Sequence, residues 1–147
     1  MRQIEIEPVD ERDSNWEGPT PRFRVYLHSS GPDKTYGSTW TYDITGADAL
    51  QAIDWAQRQA GDRLTYALAL VLDDPTEEQR NPGHGRGLVW LVGTDGNDNT
   101  EKDPEQRAVQ RRMLMRRTKP VVIAPSDAVP PGAFDPFNDG TERRSEV

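Results

Sequence analysis

The stretch that most constrains this chain is Arg63 to Asp73. On an extended backbone it sends Leu64, Tyr66, Leu68, Leu70 and Leu72 to one side and Thr65, Ala67, Ala69 and Val71 to the other. A strand apolar on both sides has to sit inside a sheet, paired at its edges and sheltered on its faces. Gly87 to Gly93 repeats the pattern, with Leu88, Trp90 and Val92 against Val89 and Leu91. Arg22 to Ser29 differs, because Phe23, Val25 and Leu27 alternate with Arg22, Arg24, Tyr26 and His28, as in a half-solvated strand. Turn residues Gly31, Pro32, Asp33 and Gly37 then lead into Trp40, Tyr42 and Ile44 alternating with Thr39, Thr41, Asp43 and Thr45, so the first two strands should form a hairpin.

Between the second and third strands the period changes to that of a helix, from Thr45 to about Gly61. Thr45 stands three residues before Asp48, so its hydroxyl is expected to cap a free amide while Asp48 favours the positive helix end. At 100° per residue Ala49, Leu50, Ala52, Ile53, Ala56 and Ala60 share one arc, with Gln51, Asp54 and Arg58 opposite. The alanines let this helix lie close to a sheet, and Asp54 and Arg58 are spaced for an i,i+4 ion pair. Trp55 falls outside the arc and has two readings: cover for the sheet edge, or an exposed anchor for a partner. Further on, Asp103, Pro104 and Gln106 supply an N-cap, a proline at the first helical position and a capping-box glutamine, opening a second helix to about Arg117. The fold class expected is α+β: a four-stranded, mainly antiparallel sheet in chain order β-β-α-β-β, one packed helix, an appended basic C-terminal helix and a disordered tail. The chain divides into a flexible segment 1–21, an α+β domain 22–100, a basic helix 101–119 and a Pro-rich acidic tail 120–147.

Both ends are expected to be loose, because their prolines and charges offer too little apolar area to offset ordering entropy. Within the tail, Val121, Val122 and Ile123 suggest an added edge strand, and Phe134 and Phe137 either a short docking segment or part of an inert tail. No apolar run approaches the roughly 20 residues needed to span a bilayer, and the acidic residues 1–13 lack an export-type apolar core, so a cytoplasmic location is expected. The absence of cysteine excludes disulfides, thiolate ligands and a cysteine nucleophile. His28 and His84, the two histidines, leave few ways to build a zinc or histidine-base site, and neither a cofactor nor a metal is expected.

Charge is unevenly placed. The chain carries a formal charge of -7, yet residues 101–119 hold 7 Lys and Arg against 3 Asp and Glu. Around the second helix Arg107, Arg111, Arg112, Arg116 and Arg117 are interleaved with Ala108, Val109, Met113, Leu114 and Met115, which leaves no clean buried face. A helix of this kind is marginal alone. The candidate partner-binding residues are therefore Trp55, Arg107, Arg111, Arg112, Met113, Met115, Arg116 and Arg117, facing a protein partner or a second copy. The competing reading rests one flank of the helix on the acidic body. Clustered arginine also suits a nucleic-acid backbone, although no aromatic stacking residue lies in 101–119.

Weaker constellations have plainer explanations beside them. Asp95, Asn97, Asn99 and Asp103 occupy alternate positions of a Ca²⁺ loop, but Thr100 and Gln106 replace its glycine and bidentate glutamate, and an Asp-Gly turn explains the same residues. Gly83, Gly85 and Gly87 around His84 and Arg86 suggest an anion-holding nest or a mobile turn. The pairs Asp73 with Asp74 and Glu77 with Glu78 would diverge rather than converge on a substrate, and His28, Ser29 and Ser30 are neighbours in sequence without triad geometry. Enzymatic activity is not expected.

The runs Trp40 to Asp48 (WTYDITGAD) and Gly87 to Asp95 (GLVWLVGTD), with Trp55-Ala56, resemble small uncharacterised proteins of actinobacteria and their phages over about residues 22 to 98. The resemblance implies no activity or catalytic residue. The function expected is that of a non-enzymatic binding or adaptor protein, with a nucleic-acid-associated factor or a phage structural or assembly component as alternatives.

Overall fold

A computed structural model describes residues 3–18 and 20–137. Strands β1 (Arg22–Ser29), β2 (Ser38–Thr45), β3 (Leu64–Asp73) and β4 (Arg86–Val92) form one antiparallel sheet in the order β2-β1-β3-β4. The two-sided apolar strand is thus internal, with Leu68 opposite both Val25 and Val92. A register shift between Leu68 and Ala69 leaves Leu91 of β4 as an extra residue, so Val92 and Val89 both project to the face of Leu68 and Leu70. Helix α1 (Ala49–Ala60) covers that face, where Phe23, Val25, Leu27, Tyr66 and Leu68 pack with Ala52, Trp55, Ala56 and Ala60. The α+β class and the β-β-α-β-β order therefore stand, with an added short helix α2 (Pro75–Arg80) and the basic helix as α3 (Pro104–Met115). Among the described residues no helix is long and apolar enough to cross a membrane.

Local chemistry departs from the expected pattern in three places. Asp48, not Thr45, caps α1: its side chain accepts from the Gln51 amide, and the Gln51 side chain accepts from the Asp48 amide, closing a capping box one turn later than the threonine reading. Asp103 caps α3 by accepting from the Glu105 and Gln106 amides, but the Gln106 side chain does not reach back, its oxygen being buried elsewhere. The connection from Asp73 to Arg86 keeps a turn at 81–83 and is not an open nest. It holds α2, and the Glu78 carboxylate accepts from the amides of Gly83 and Gly85, filling the anion position with a group of the chain itself.

Residues 120–137 are not loose. They run over the side of α1 away from the sheet: the Val121 amide donates to Gln57, Val129 to Asp54, and Phe137 to Gln59. Val121, Val122 and Ile123 add no strand. Phe137 is part of the core and stands edge-on to Trp40 at 5.4 Å, while Phe134 lies 6.0 Å from Tyr42. This second cover explains why Asp54, on the expected polar side of α1, is buried, and the Asp54–Arg58 pair forms there at 3.5 Å. The portion of the expected disordered tail from 138 to 147 lies outside the described residues.

Two loops meet at the far end of β1, and their approach leaves no room for a side chain at Gly96. A β-carbon there would lie 2.7 Å from the Thr35 carbonyl oxygen and 2.8 Å from His28 Cδ2. Gly96→Ala should therefore lower stability by about 1 to 3 kcal/mol, read from the urea midpoint. Gly87→Ala, where a β-carbon meets nothing within 4 Å, should leave the midpoint unchanged or raise it by up to about 1 kcal/mol.

Candidate functional site

Helix α3 packs against β3 through a stripe that spacing defines and composition conceals. At 100° per residue Gln106, Gln110, Met113 and Arg117 share one side, with Val109 and Arg116 on its flank. Met113 is 1% exposed and lies over Gly93 and Ala67, where a β-carbon on Gly93 would come within 3.2 Å of both side chains. The Gln110 amide donates to the Asp95 and Asp98 carbonyls, and its oxygen accepts from the Thr100 hydroxyl at 3.2 Å. Arg117 donates to the Gly31 carbonyl at 2.9 Å and the Ser30 hydroxyl at 2.7 Å. Burial pushes its guanidinium below its ordinary value.

The loop that receives Gln110 is itself fixed through His28. The Gly96 amide donates to His28 Nε2 at 3.2 Å, so Nδ1 carries the proton and faces the Thr39 hydroxyl at 3.1 Å. That hydroxyl also accepts from the Asn97 amide group, whose oxygen takes the Gly37 amide, and Thr35 donates to the Gly96 carbonyl. Burial pushes the imidazole below its ordinary value, and the Asp95 carboxylate opposes the shift. The Ca²⁺-loop residues are spent on the same work: Asp95 accepts from the Asn97 amide, Asn99 from the Glu101 amide, and Asp103 caps α3. Among the described residues no group of three or more His, Asp or Glu is placed to hold a metal.

The eight expected contact residues consequently separate. Trp55 is not an exposed anchor: it is 7% exposed, stands edge-on to Tyr42 at 5.5 Å, and donates from its indole to the Phe134 carbonyl at 2.7 Å. Met113 belongs to the interior and Arg117 is committed to the β1–β2 loop. Arg116 turns into the crevice between α3 and α1, lined also by Tyr66, Gln57 and Pro120, and its charge lowers the Tyr66 hydroxyl, which burial raises more strongly. What remains outward is one side of the helix, with Arg107, Arg111, Arg112 and Met115, the methionine 49% exposed. Arg107 donates to the Glu101 carbonyl at 2.8 Å, whereas Arg111 and Arg112 make no side-chain hydrogen bond or ion pair among the described residues.

That freedom contrasts with the arginines of the sheet. The face without α1 carries a Tyr26–Trp90 edge-to-face pair at 5.0 Å, a feature that period-2 reading of two separate strands did not join. Beside it Arg22 and Arg24 both bind Asp43, and Arg86 binds Asp73 at 2.8 Å. The two guanidiniums hold the Asp43 carboxyl down at about 2, Arg24 contributing most. Arg12, Arg58 and Arg80 are likewise ion-paired, whereas among the described residues the outward side of α3 carries two neighbouring arginines without an ion pair.

Met113→Ala should cost about 2 to 5 kcal/mol in chemical denaturation, whereas Met115→Ala should stay within about 0.5 kcal/mol of the parent. A pH series separates two electrostatic contributions. The folded His28 holds its proton more weakly than the unfolded one, so its stabilising part is complete above pH 6.5 and is lost as pH falls from there toward its depressed value. The Asp43 part is present above 3.8 and is lost between 3.8 and about 2. The melting temperature should therefore fall as pH drops below 6.5 and again below 3.8, and Asp43→Asn should flatten the fall below 3.8. Comparison with protein-family models, with curated proteins and with solved structures finds no significant match to this chain.

Proposed function

We propose that this chain is a cytoplasmic, non-enzymatic protein-binding module whose contact surface is the outward side of α3. The observation that carries the reading is the pair Arg111 and Arg112, charged, exposed and unpaired among the described residues beside Met115, on a chain of charge -7 whose sheet arginines are neutralised by its own carboxylates. Holding arginines away from local carboxylates leaves their forked donors available to an acidic surface, and an exposed methionine adds an adaptable apolar contact. The inward stripe supports the same reading, because Met113, Gln110 and Arg117 fix the helix without drawing on the outward residues. Side chains with catalytic potential serve the fold: His28 and the Asp95–Asp103 loop bind backbone, and Glu78 fills the glycine nest. The preferred partner is therefore a protein surface rich in carboxylates. A nucleic-acid backbone is the competing polyanion.

Capture from host extract on the immobilised full chain, at about 0.15 M salt, tests this. The parent should retain a discrete set of proteins that Arg111→Glu with Arg112→Glu loses, with nuclease treatment making no difference. An identical set on parent and variant would remove α3 as the surface. Loss of the set after nuclease would assign the surface to nucleic acid.

A further inference from the structure

The segment before β1 has the composition that the α3 surface lacks. Over residues 3–18 it carries Glu5, Glu7, Asp10, Glu11, Asp13 and Glu17 against Arg12 alone, and Arg12 is already folded back on Asp10 at 2.7 Å. It also presents Ile4, Ile6, Val9 and Trp16 to solvent, Trp16 at 82% and Ile6 at 92%. Four large apolar side chains in so short an acidic segment are more than scattered surface residues usually supply. Were residues 4–7 to pair in an extended conformation, Ile4 and Ile6 would project to one side and Glu5 and Glu7 to the other. A basic stripe flanking an exposed methionine fits that alternation in both charge and hydrophobicity.

Placement bears on whether docking occurs within one chain or between two. The segment joins the sheet at Arg22, whereas α3 is fastened at the opposite end of β1, where Arg117 holds Ser30 and Gly31. Within one molecule the segment would have to turn back along about 25 Å of strand before meeting the stripe. Two molecules set side by side in opposite directions bring each segment to the other's α3 directly, and the same contact is made twice. We infer that residues 3–18 of one copy dock on the Arg111, Arg112 and Met115 side of α3 in a second copy, giving a reciprocal, charge-complementary dimer. This rests on the reading of α3 as the binding surface and names its partner.

Sedimentation of the full-length chain tests it, using two charge reversals at exposed positions: Glu5→Arg with Glu7→Arg, and Arg111→Glu with Arg112→Glu. At about 50 µM and about 50 mM salt the parent should sediment at twice its mass of 16.6 kDa and revert to monomer at about 0.5 M salt. Each reversed chain alone should be monomeric with an unchanged thermal transition, and an equimolar mixture should recover the dimer, because one contact then keeps its native charges and the other is restored with its signs exchanged. A parent that stays at 16.6 kDa throughout overturns the dimer, while the capture result with Arg111 and Arg112 still decides the binding reading. A dimer lost on reversing α3 but kept on reversing Glu5 and Glu7 overturns the segment as occupant and keeps α3 as the surface. A dimer insensitive to both reversals overturns the proposed contact altogether.

Discussion

One buried imidazole decides where the chain's surface charge ends up. His28 is fully enclosed, accepts the Gly96 amide and faces Thr39, and through Thr39 and Asn97 it ties the β1–β2 loop to the loop after β4. In a low-dielectric setting each of these bonds is stronger than in water, and leaving one partner unmatched is costly, so the group tends to hold as a unit. The loop fixed in this way offers the Asp95 and Asp98 carbonyls to Gln110, which sets the position of α3. The neutral state of His28 is required for this, because Nε2 must keep a lone pair for the Gly96 amide.

The rest of the molecule removes unpaired charge locally. Asp43 lies between Arg22 and Arg24, Asp73 meets Arg86, and Glu78 sits in a nest of glycine amides, an arrangement in which a carboxylate already satisfies the donors that a bound anion would need. A β-carbon at Gly85 would lie 2.6 Å from Cβ of Glu78, which shows how closely the two are fitted. Against this background the outward side of α3 and the acidic segment before β1 are, among the described residues, two elements of opposite sign whose charge is not balanced nearby. Their opposite signs make them complementary in composition.

The sheet was legible because strand burial writes itself into alternation. Leu64 to Asp73 reads as central from residue type alone, and Phe23, Val25 and Leu27 identify the buried face of β1. The site was less legible because α3 is fastened by polar groups. Gln106, Gln110, Met113 and Arg117 recur at helical spacing, yet three of the four count as surface residues on any hydrophobicity scale, so the stripe was hidden by the identities of its members. Trp55 takes the sheet-edge reading over the anchor reading, packed on Tyr42 of the edge strand β2, and the sequence left the choice open for a different reason. Its cover comes from Phe134 and Phe137, some 80 positions away along the chain, in a segment whose prolines argue for looseness unless its amides find Gln57, Asp54 and Gln59. Neither local period nor composition carries a contact of that range.

Fastening a helix by hydrogen bonds rather than by a greasy face has a consequence for what it presents. An apolar stripe tolerates rotation and sliding, since one hydrophobic contact is much like another, whereas Gln110 and Arg117 must meet particular carbonyl groups. Turning α3 by one residue would break those bonds and carry Arg111 or Arg112 toward the space that Met113 fills against Ala67 and Gly93. Burying an unpaired guanidinium there would cost several kcal/mol by any reasonable estimate of desolvation. The bonds on the inside therefore fix which arginines stand on the outside. That fixed orientation makes the stripe a defined surface, and a short acidic segment with alternating isoleucines can meet it in register.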